Sequence, residues 1–300
     1  MILCDTHADT LYGRAKHPDG AFDVTLDRLK AGGVSVQTLA LYVGGKPDIP
    51  VIAEMFEKMW QAKDALTAEG WQQVMDPRDA VDGETRFMLS VEGCDLLARD
   101  PALLADWRKK GVRIAALCWN HENVLCTPAS IAADTPLKPF GREAAKEMQR
   151  LGIAPDTSHL NERGFWDLLE MGVVPMASHS CARALCDHRR NLTDDQLKAL
   201  FQAGGYVGVN FYPAFLSSDG KADLERVCDH VVHMLEMGGE GHVGFGSDFD
   251  GIECKPVGLD GPQDFPKLIS ALRGRGLDER LIEGIAGQNL LRYFDRIDPR

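Results

Sequence analysis

The sequence predicts a closed α/β barrel, (β/α)8, built as a single domain over residues 1–300. Three observations favour this fold. Eight short apolar runs rich in strand-forming residues recur along the chain, with segments of helical periodicity between them. The length of 300 residues suits one such barrel, which typically needs about 250. The alternative, a doubly wound open sheet, usually carries a glycine-rich turn after its first strand, whereas Asp5-Thr6-His7 stands there in this chain.

The eight predicted strands are short and mostly apolar, as is typical of parallel strands that are buried on both faces. The fifth is the weakest of them. In chain order, the strands are predicted at residues 2–4, 35–43, 86–91, 112–118, 152–155, 173–177, 205–211 and 242–246.

Six helices are predicted between these strands. The clearest helical period lies in residues 51–66, whose apolar face is formed by Ile52, Met55, Phe56, Met59 and Trp60. Asn161 and Thr193 are suited to cap helices at their N-termini, and Gly152 and Gly172 are suited to end them. The other helices are predicted at residues 142–151, 161–171, 193–203, 223–237 and 264–275, and loops that could cover the barrel mouth at residues 44–50 and 126–139.

The composition argues against several classes of protein. The net charge of −12 does not suit a general nucleic-acid binder, which needs clustered lysine and arginine. The longest uncharged stretch, residues 199–218, contains Gln202, Asn210 and Pro213 and is not expected to span a membrane. Eight cysteines without a CxxC pair, in a chain whose first residues do not resemble a signal peptide, predict free thiols and a cytoplasmic location.

Metal-binding residue types follow five of the eight predicted strands. They are Asp5, His7 and Asp9 after the first strand, Glu92 after the third, Asp156 and His159 after the fifth, His179 after the sixth, and Asp248 and Asp250 after the eighth. Because barrel active sites lie at the carboxyl ends of the strands, these side chains are expected to meet at one mouth. Each residue alone is more typical of a turn or a hydrogen-bonded structural position. Together they favour one site for zinc or a similar divalent ion, with Asp5 its least certain member.

Asn120 and His121, after the fourth predicted strand, also occupy a favourable position. The neighbouring Trp119 indicates packing there rather than chemistry. Cys181 and Cys186 lie near the sixth strand end, but their spacing of five residues is a poor signal for metal ligands. These four residues are therefore not included in the predicted site.

Nine motifs run in order through nearly the whole chain. They are DTHAD at 5–9, VEG at 91–93, a segment 140–152 that begins with FG and ends with EMQRLG, DTSH at 156–159, SHS at 178–180, RNLTD at 190–194, GGYVGVNFY at 204–212, GSDFDG at 246–251, and a segment 284–292 that begins with GIAGQN. Each motif is weak by itself. The ordered set resembles the membrane (renal) dipeptidase family of zinc peptidases, whose fold is an amidohydrolase-like TIM-type barrel.

The resemblance implies a site with two zinc ions. His7 and Asp9 would hold one ion, His159 and His179 would hold the other, and Glu92 would bridge them.

The resemblance also implies roles around the metals. Asp248 matches the family's acid/base residue, Arg190 the residue that binds the C-terminal carboxylate of a dipeptide, and Tyr212 a substrate-side aromatic residue. Trp119 stands where better-known animal members have a histidine that contacts the substrate. The resemblance therefore does not carry the substrate preference of those members over to this chain.

The expected activity is zinc-dependent hydrolysis of dipeptides that have a free C-terminal carboxylate, through a hydroxide shared by the two ions. One alternative is a related amidohydrolase that acts on N-acyl amino acids, lactams or cyclic amides. A second is a non-catalytic binding protein on the same barrel. The expected partner is a small-molecule dipeptide, with no nucleic acid and no membrane; the oligomeric state is left open, with a homodimer as the assembly considered.

Overall fold

The computed structural model describes residues 1–299 and contains one parallel sheet of nine strands. The strands are β1 Cys4–Asp5, β2 Val36–Tyr42, β3 Gln72–Gln73, β4 Arg86–Glu92, β5 Val112–Ala116, β6 Ala154–Asp156, β7 Met176–Ala177, β8 Tyr206–Val209 and β9 Val243–Phe245. All eight predicted strands are present, seven of them in shorter form, whereas β4 extends one residue beyond the prediction to Glu92. The sixth is the most reduced, since only Met176 and Ala177 pair with neighbouring strands.

Eight of the strands close into a barrel, because β1 pairs with both β2 and β9, and β2 pairs directly with β4. The two residues of β3 pair with the start of β4, whereas β5 pairs with the rest of that strand. The predicted (β/α)8 architecture is therefore confirmed. The pairing of β2 with β4 places Tyr42 beside Glu92 at the carboxyl end of the barrel.

Twelve α-helices lie among the described residues and surround the barrel. They are α1 Thr10–Lys16, α2 Leu26–Ala31, α3 Ile49–Ala68, α4 Leu103–Lys109, α5 Pro139–Arg150, α6 Glu162–Glu170, α7 Asp194–Gln202, α8 Pro213–Leu216, α9 Leu224–Met234, α10 Phe265–Gly274, α11 Glu279–Glu283 and α12 Asn289–Ile297. None of these helices combines the length and the apolar character that crossing a membrane requires.

The predicted helix boundaries agree with the local geometry. The side chain of Asn161 accepts a hydrogen bond from the backbone of Gly164, and Thr193 forms a capping box with Gln196. Gly152 and Gly172 follow α5 and α6 with φ angles of 68° and 72°, which a glycine adopts without steric cost. The caps therefore fix where the chain leaves each helix for the next strand.

The opposite, N-terminal end of the barrel carries a buried charge network that the sequence analysis did not predict. Arg113 of β5 is fully buried, and its guanidinium lies 3.0 Å from a carboxylate oxygen of Asp76 and 2.9 Å from one of Asp298. Arg78 pairs with the same two aspartates. In barrels of this type, residues at this end contribute stability rather than catalysis. The network ties β5 to the segment after α12.

Candidate metal centre

Six of the predicted site residues converge at the carboxyl mouth of the barrel. Five are buried, and the side chain of the sixth is 14% exposed. In chain order, they are His7 and Asp9 after β1, Glu92 at the end of β4, His159 after β6, His179 after β7, and Asp248 after β9.

The carboxylate of Glu92 lies between two groups of side chains. Its Oε1 is 3.0 Å from Nε2 of His159 and 3.4 Å from Nε2 of His179. Its Oε2 faces the other way and lies 3.8 Å from Nε2 of His7. One carboxylate therefore offers one oxygen to each group, which is the arrangement of a bridging ligand.

The first group surrounds the ring of His7. Its Nε2 lies 3.6 Å from Oδ1 of Asp9 and 3.7 Å from Oδ1 of Asp248. Among the described residues, Nε2 of His7, Oδ1 of Asp9 and Oε1 of Glu92 are buried and make no hydrogen bond. A buried polar atom without a partner costs about 1–3 kcal/mol, so a constellation of three needs a compensating ligand.

The second group consists of the two histidines that face Glu92 from β6 and β7. Nε2 of His159 and Nε2 of His179 are 3.1 Å apart, so both ring nitrogens are aimed at one point. The ring of His179 also stacks on that of His7 with centroids 3.9 Å apart, which joins the two groups.

This donor set fits a divalent metal. Atoms that each bind one zinc at about 2.0–2.2 Å necessarily lie a few ångströms apart, as the atoms around Glu92 do. Two sets of donor atoms each lie within 4.8 Å of one another: His7, Glu92 and His179 form one set, and His7, Asp9 and Asp248 form the other. Imidazole and carboxylate are the ligands of zinc and related ions.

The electrostatics of the site reflect the close approach of its carboxylates. Burial, together with the charges of Asp9 and Glu92, raises the pKa of Asp248 to about 7, against the opposing effect of His7. Burial lowers the pKa of His7, but the carboxylates of Glu92, Asp9 and Asp248 outweigh it and raise that pKa to about 10. Burial and the nearby charge of Arg190 lower the pKa of His159 well below its usual range. The excess of carboxylates thus attracts positive charge, which a proton on His7 or a bound cation can supply, while His159 stays neutral.

A cavity of about 190 Å³ opens above these residues. Arg190 lines it and is only 7% exposed, and its Nε makes no hydrogen bond within the described chain. The guanidinium carbon lies 5.4 Å from the ring centre of Phe215. A buried guanidinium with an unused donor in a cavity is suited to bind a carboxylate.

Aromatic residues form much of the remaining wall. Trp119 packs edge-on against Tyr42 with ring centres 5.1 Å apart, and the hydroxyl of Tyr212 donates to Oε2 of Glu253 at 2.9 Å. Trp119 therefore faces this cavity and is not merely a packing residue.

The backbone is unusual at this mouth. Within the described residues, the non-glycine residues with positive φ are His159, Asp248 and Asp250, at 68°, 65° and 63°. A side chain on the adjacent Gly251 would come within 2.5 Å of Oδ2 of Asp9. Strained backbone of this kind clusters at functional sites.

Two of the strand-end aspartates have structural partners instead. Asp5 accepts hydrogen bonds from the backbone and hydroxyl of Ser247, so its inclusion among the inward site residues is corrected. Asp250 accepts from the hydroxyl of Thr10 and from the backbone of Asp23. Both aspartates hold the loops of the site in place.

The side chain of Asn120, which the sequence does not predict as a site residue, also lies in the site. Its Oδ1 is 2.8 Å from Nδ1 of His159. Its position after a barrel strand was the available signal. His121 instead pairs with Asp95 at 2.8 Å, as a buried structural pair.

Comparison with known proteins places the chain in a family. Residues 1–299 match the model of the membrane dipeptidase family, peptidase family M19. The chain belongs to this family.

Two curated relatives support this membership. An uncharacterized dipeptidase of Schizosaccharomyces pombe is 38% identical over 212 residues, which are 69% of this chain and 52% of the relative. The dipeptidase tcpJ of Claviceps purpurea is 33% identical over 220 residues, 72% of this chain and 52% of the relative. The chain thus spans about half the length of the curated relatives it matches.

A solved structure of similar fold is a metallopeptidase from Rhodobacter sphaeroides, liganded with a phosphinate mimic of the dipeptide L-Ala-D-Ala. It is 27% identical, and the two chains superpose with a TM-score of 0.90 over 99% of each. Membership of peptidase family M19 implies a metal cofactor for this chain, in agreement with the unpartnered donor atoms at the mouth.

Proposed function

We propose that this chain is a zinc-dependent dipeptidase that cleaves the peptide bond of dipeptides with a free C-terminal carboxylate. The observation that carries the proposal is that a group of metal donors and a buried cationic side chain face the same cavity. Glu92 presents its two oxygens to two groups of buried metal donors, and a buried arginine, Arg190, lines the wall.

We assign two ions to this centre. His7 and Asp9 would hold one, His159 and His179 would hold the other, and Glu92 would bridge them. When bound, such ions lower the pKa of a water molecule towards 7 and stabilise negative charge on the scissile carbonyl oxygen.

Asp248 is placed to move the proton that hydrolysis requires. Its Oδ2 accepts a hydrogen bond from the side chain of Asn210 at 3.0 Å, which fixes the carboxylate and leaves Oδ1 facing His7. The free Oδ1 can take a proton from the attacking water and pass it to the leaving amine. A pKa raised to about 7 by burial suits a group that must both accept and donate near neutral pH.

Arg190 supplies the recognition of the substrate terminus. Its guanidinium can pair with both oxygens of a terminal carboxylate, which a dipeptide presents one residue beyond the scissile bond. The cavity of about 190 Å³ is smaller than the roughly 300–1,000 Å³ of pockets for drug-sized ligands. Short substrates are therefore favoured over longer peptides.

A panel of substrates on metal-analysed protein tests the proposal. We expect about two zinc ions per chain, hydrolysis of Ala-Ala, and loss of at least tenfold in kcat/KM when the dipeptide carries a C-terminal amide, because Arg190 then lacks a carboxylate to pair with. N-acetyl-alanine and a cyclic dipeptide are the competing substrates. Preference for either of these would favour the alternative amidohydrolase activity.

The matched variants are Glu92→Ala and Glu84→Ala. Glu84 precedes the same strand but lies at the surface, paired with Arg86. Glu92→Ala should lose metal and hydrolysis together, while Glu84→Ala should keep both. Native protein that binds no metal, or that is inert to every dipeptide, would contradict the proposal and revive a binding role.

We also propose that the protein works in the cytoplasm. All eight cysteines are free and seven of them are buried, as expected in a reducing compartment. Immunodetection in the cytosolic fraction of cells is the expected result, and recovery from the membrane fraction would contradict it.

A further inference from the structure

A histidine can bind a metal through Nε2 only when its ring proton sits on Nδ1, so the partner of Nδ1 decides whether the ring is competent. His159 and His179 both point Nε2 towards Glu92 and Nδ1 away from it. The partners of the two Nδ1 atoms are different in kind.

Nδ1 of His179 faces the hydroxyl of Ser178 at 2.8 Å. That hydroxyl donates to Oδ2 of Asp156, whose Oδ1 accepts from the backbone of Ser158 and of Ser178, each at 2.9 Å. A hydroxyl has one proton to donate, and Ser178 donates it in the hydrogen bond to the carboxylate of Asp156. Oγ of Ser178 can then only accept from His179, which places the ring proton on Nδ1.

The hydroxyl of Ser158 completes the arrangement. It accepts from the backbone of His179 at 3.1 Å and lies 3.2 Å from Oγ of Ser178. Its own proton is therefore directed at Ser178, which then accepts twice and donates once. With its hydrogen-bonding capacity used, Ser178 has no proton to turn towards the ring.

Nδ1 of His159 faces Oδ1 of Asn120 at 2.8 Å. A carbonyl oxygen only accepts, so this ring must also carry its proton on Nδ1. Asn120 reaches the ring from the loop after β5, and Ser178 reaches the other from the end of β7. The two rings are thus set independently.

We infer that Asn120 and the Asp156–Ser178 pair are positioning residues that fix the metal-binding tautomer of His159 and His179, and so set the affinity for the ion these histidines hold. The inference rests on the proposed function, because it takes these two histidines as ligands. Its immediate consequence is a change in metal affinity rather than in substrate binding.

The test is metal binding by the full chain, measured by competition with a chromophoric zinc chelator. Asn120→Ala and Ser178→Ala should each weaken one of the two ions by about 10- to 100-fold and leave the other nearly unchanged. Ser178→Thr keeps the hydroxyl and should bind like the native protein. Ser90→Ala is the matched control, since the buried hydroxyl of Ser90 makes no hydrogen bond in the described chain.

Asp156→Asn gives a second, chemically distinct check. An amide nitrogen facing Ser178 would donate to its Oγ and turn the hydroxyl proton towards Nδ1 of His179, moving the ring proton to Nε2 and blocking the metal. The expected loss is at least as large as in Ser178→Ala. Melting of the metal-free variants shows whether each is folded before titration.

The outcomes separate this inference from the proposed function. Suppose that the native protein binds two ions and that the folded variants Asn120→Ala, Ser178→Ala and Asp156→Asn bind them with native affinity. This result would overturn the inference and leave the proposed dipeptide hydrolysis standing. Fewer than two ions in the native protein would overturn the proposed metal centre and the inference with it. Selective loss of one ion, rescued in Ser178→Thr, supports it.

Discussion

The two carboxylate oxygens of Asp248 have different neighbours. Oδ2 is held by Asn210, and Oδ1 faces the ring of His7. The left-handed backbone at this residue, with φ of 65°, aims the carboxylate into the cavity rather than along the strand direction. The proposed role of Asp248 as acid and base depends on the charge of Oδ1, whereas the orientation of its carboxylate depends on the hydrogen bond from Asn210.

Asp248→Asn should therefore keep the fold and the metal but lose turnover. The amide has nearly the same shape but cannot take up the proton, so we expect kcat to fall by about 10²–10⁴-fold with zinc content unchanged. Zinc analysis and dipeptide kinetics measure the two quantities separately. Glu84→Gln, at the surface beside Arg86, is the control and should retain kcat. Full activity in Asp248→Asn would show that another group moves the proton.

Single elements were predictable from sequence to different degrees. The strands were found because parallel barrel strands are buried on both faces and mostly apolar, as in β2, where all seven residues are buried and only Gln37 and Thr38 are polar. Six helices were missed: α1, α2, α4, α8, α11 and α12. Five of them have four to seven residues, which are too few to show a helical period. Asn120 was undervalued because an amide beside a tryptophan has no distinctive pattern. Its role depends on a histidine 39 residues later in the chain.

The helix α9 contains a buried histidine, His230, which should make the stability of the fold depend on pH. His230 is fully buried, accepts from the backbone of Ala182 at 3.1 Å and donates to the carbonyl of Leu216 at 3.0 Å. Burial lowers its pKa from 6.5 to about 4. Between these values the unfolded chain binds a proton that the folded chain does not, so stability falls as pH falls from 6.5 towards 4.

His230→Gln should make that fall shallower. The native histidine contributes up to about 1.4 kcal/mol per pH unit in this window, and glutamine does not titrate. Urea unfolding at pH 7.5, 6 and 5 gives the slope of the free energy of unfolding against pH. The cost of the lost hydrogen bonds is the same at each pH and does not change that slope. Identical slopes in the native and variant proteins would show that His230 is protonated in the fold.

At the scale of the whole molecule, the proposed metal donors come from the ends of four strands that lie far apart in sequence. The two proposed ions would therefore join β1, β4, β6 and β7 at the carboxyl mouth. The carboxyl mouth could be inferred from sequence because parallel strands must end together. The charge network around Arg113 could not be, because its partners lie 37 and 185 residues away and carry no motif.

Removal of metal should consequently destabilise the entire barrel. Binding at 100 times Kd stabilises a folded protein by about 2.7 kcal/mol for each site, so dialysis against a chelator should lower Tm by several degrees. Differential scanning calorimetry before and after zinc is restored measures the change. Glu92→Ala supplies the control and should show a smaller response to zinc. An unchanged Tm in the native protein would mean that zinc does not bind the folded chain in preference to the unfolded chain, which would contradict the proposed metal centre.

The left-handed backbone at His159, Asp248 and Asp250 also bears on how such a protein evolves. Non-glycine residues in this conformation cost of order 1–3 kcal/mol each, and glycine escapes that cost. Selection for heat resistance alone would therefore favour substitution of these residues by glycine. Selection for turnover would favour keeping histidine and aspartate at these positions. The two kinds of selection oppose each other at the carboxyl mouth of the barrel. Stabilising substitutions in heat-tolerant lineages are therefore expected at the N-terminal end of the barrel.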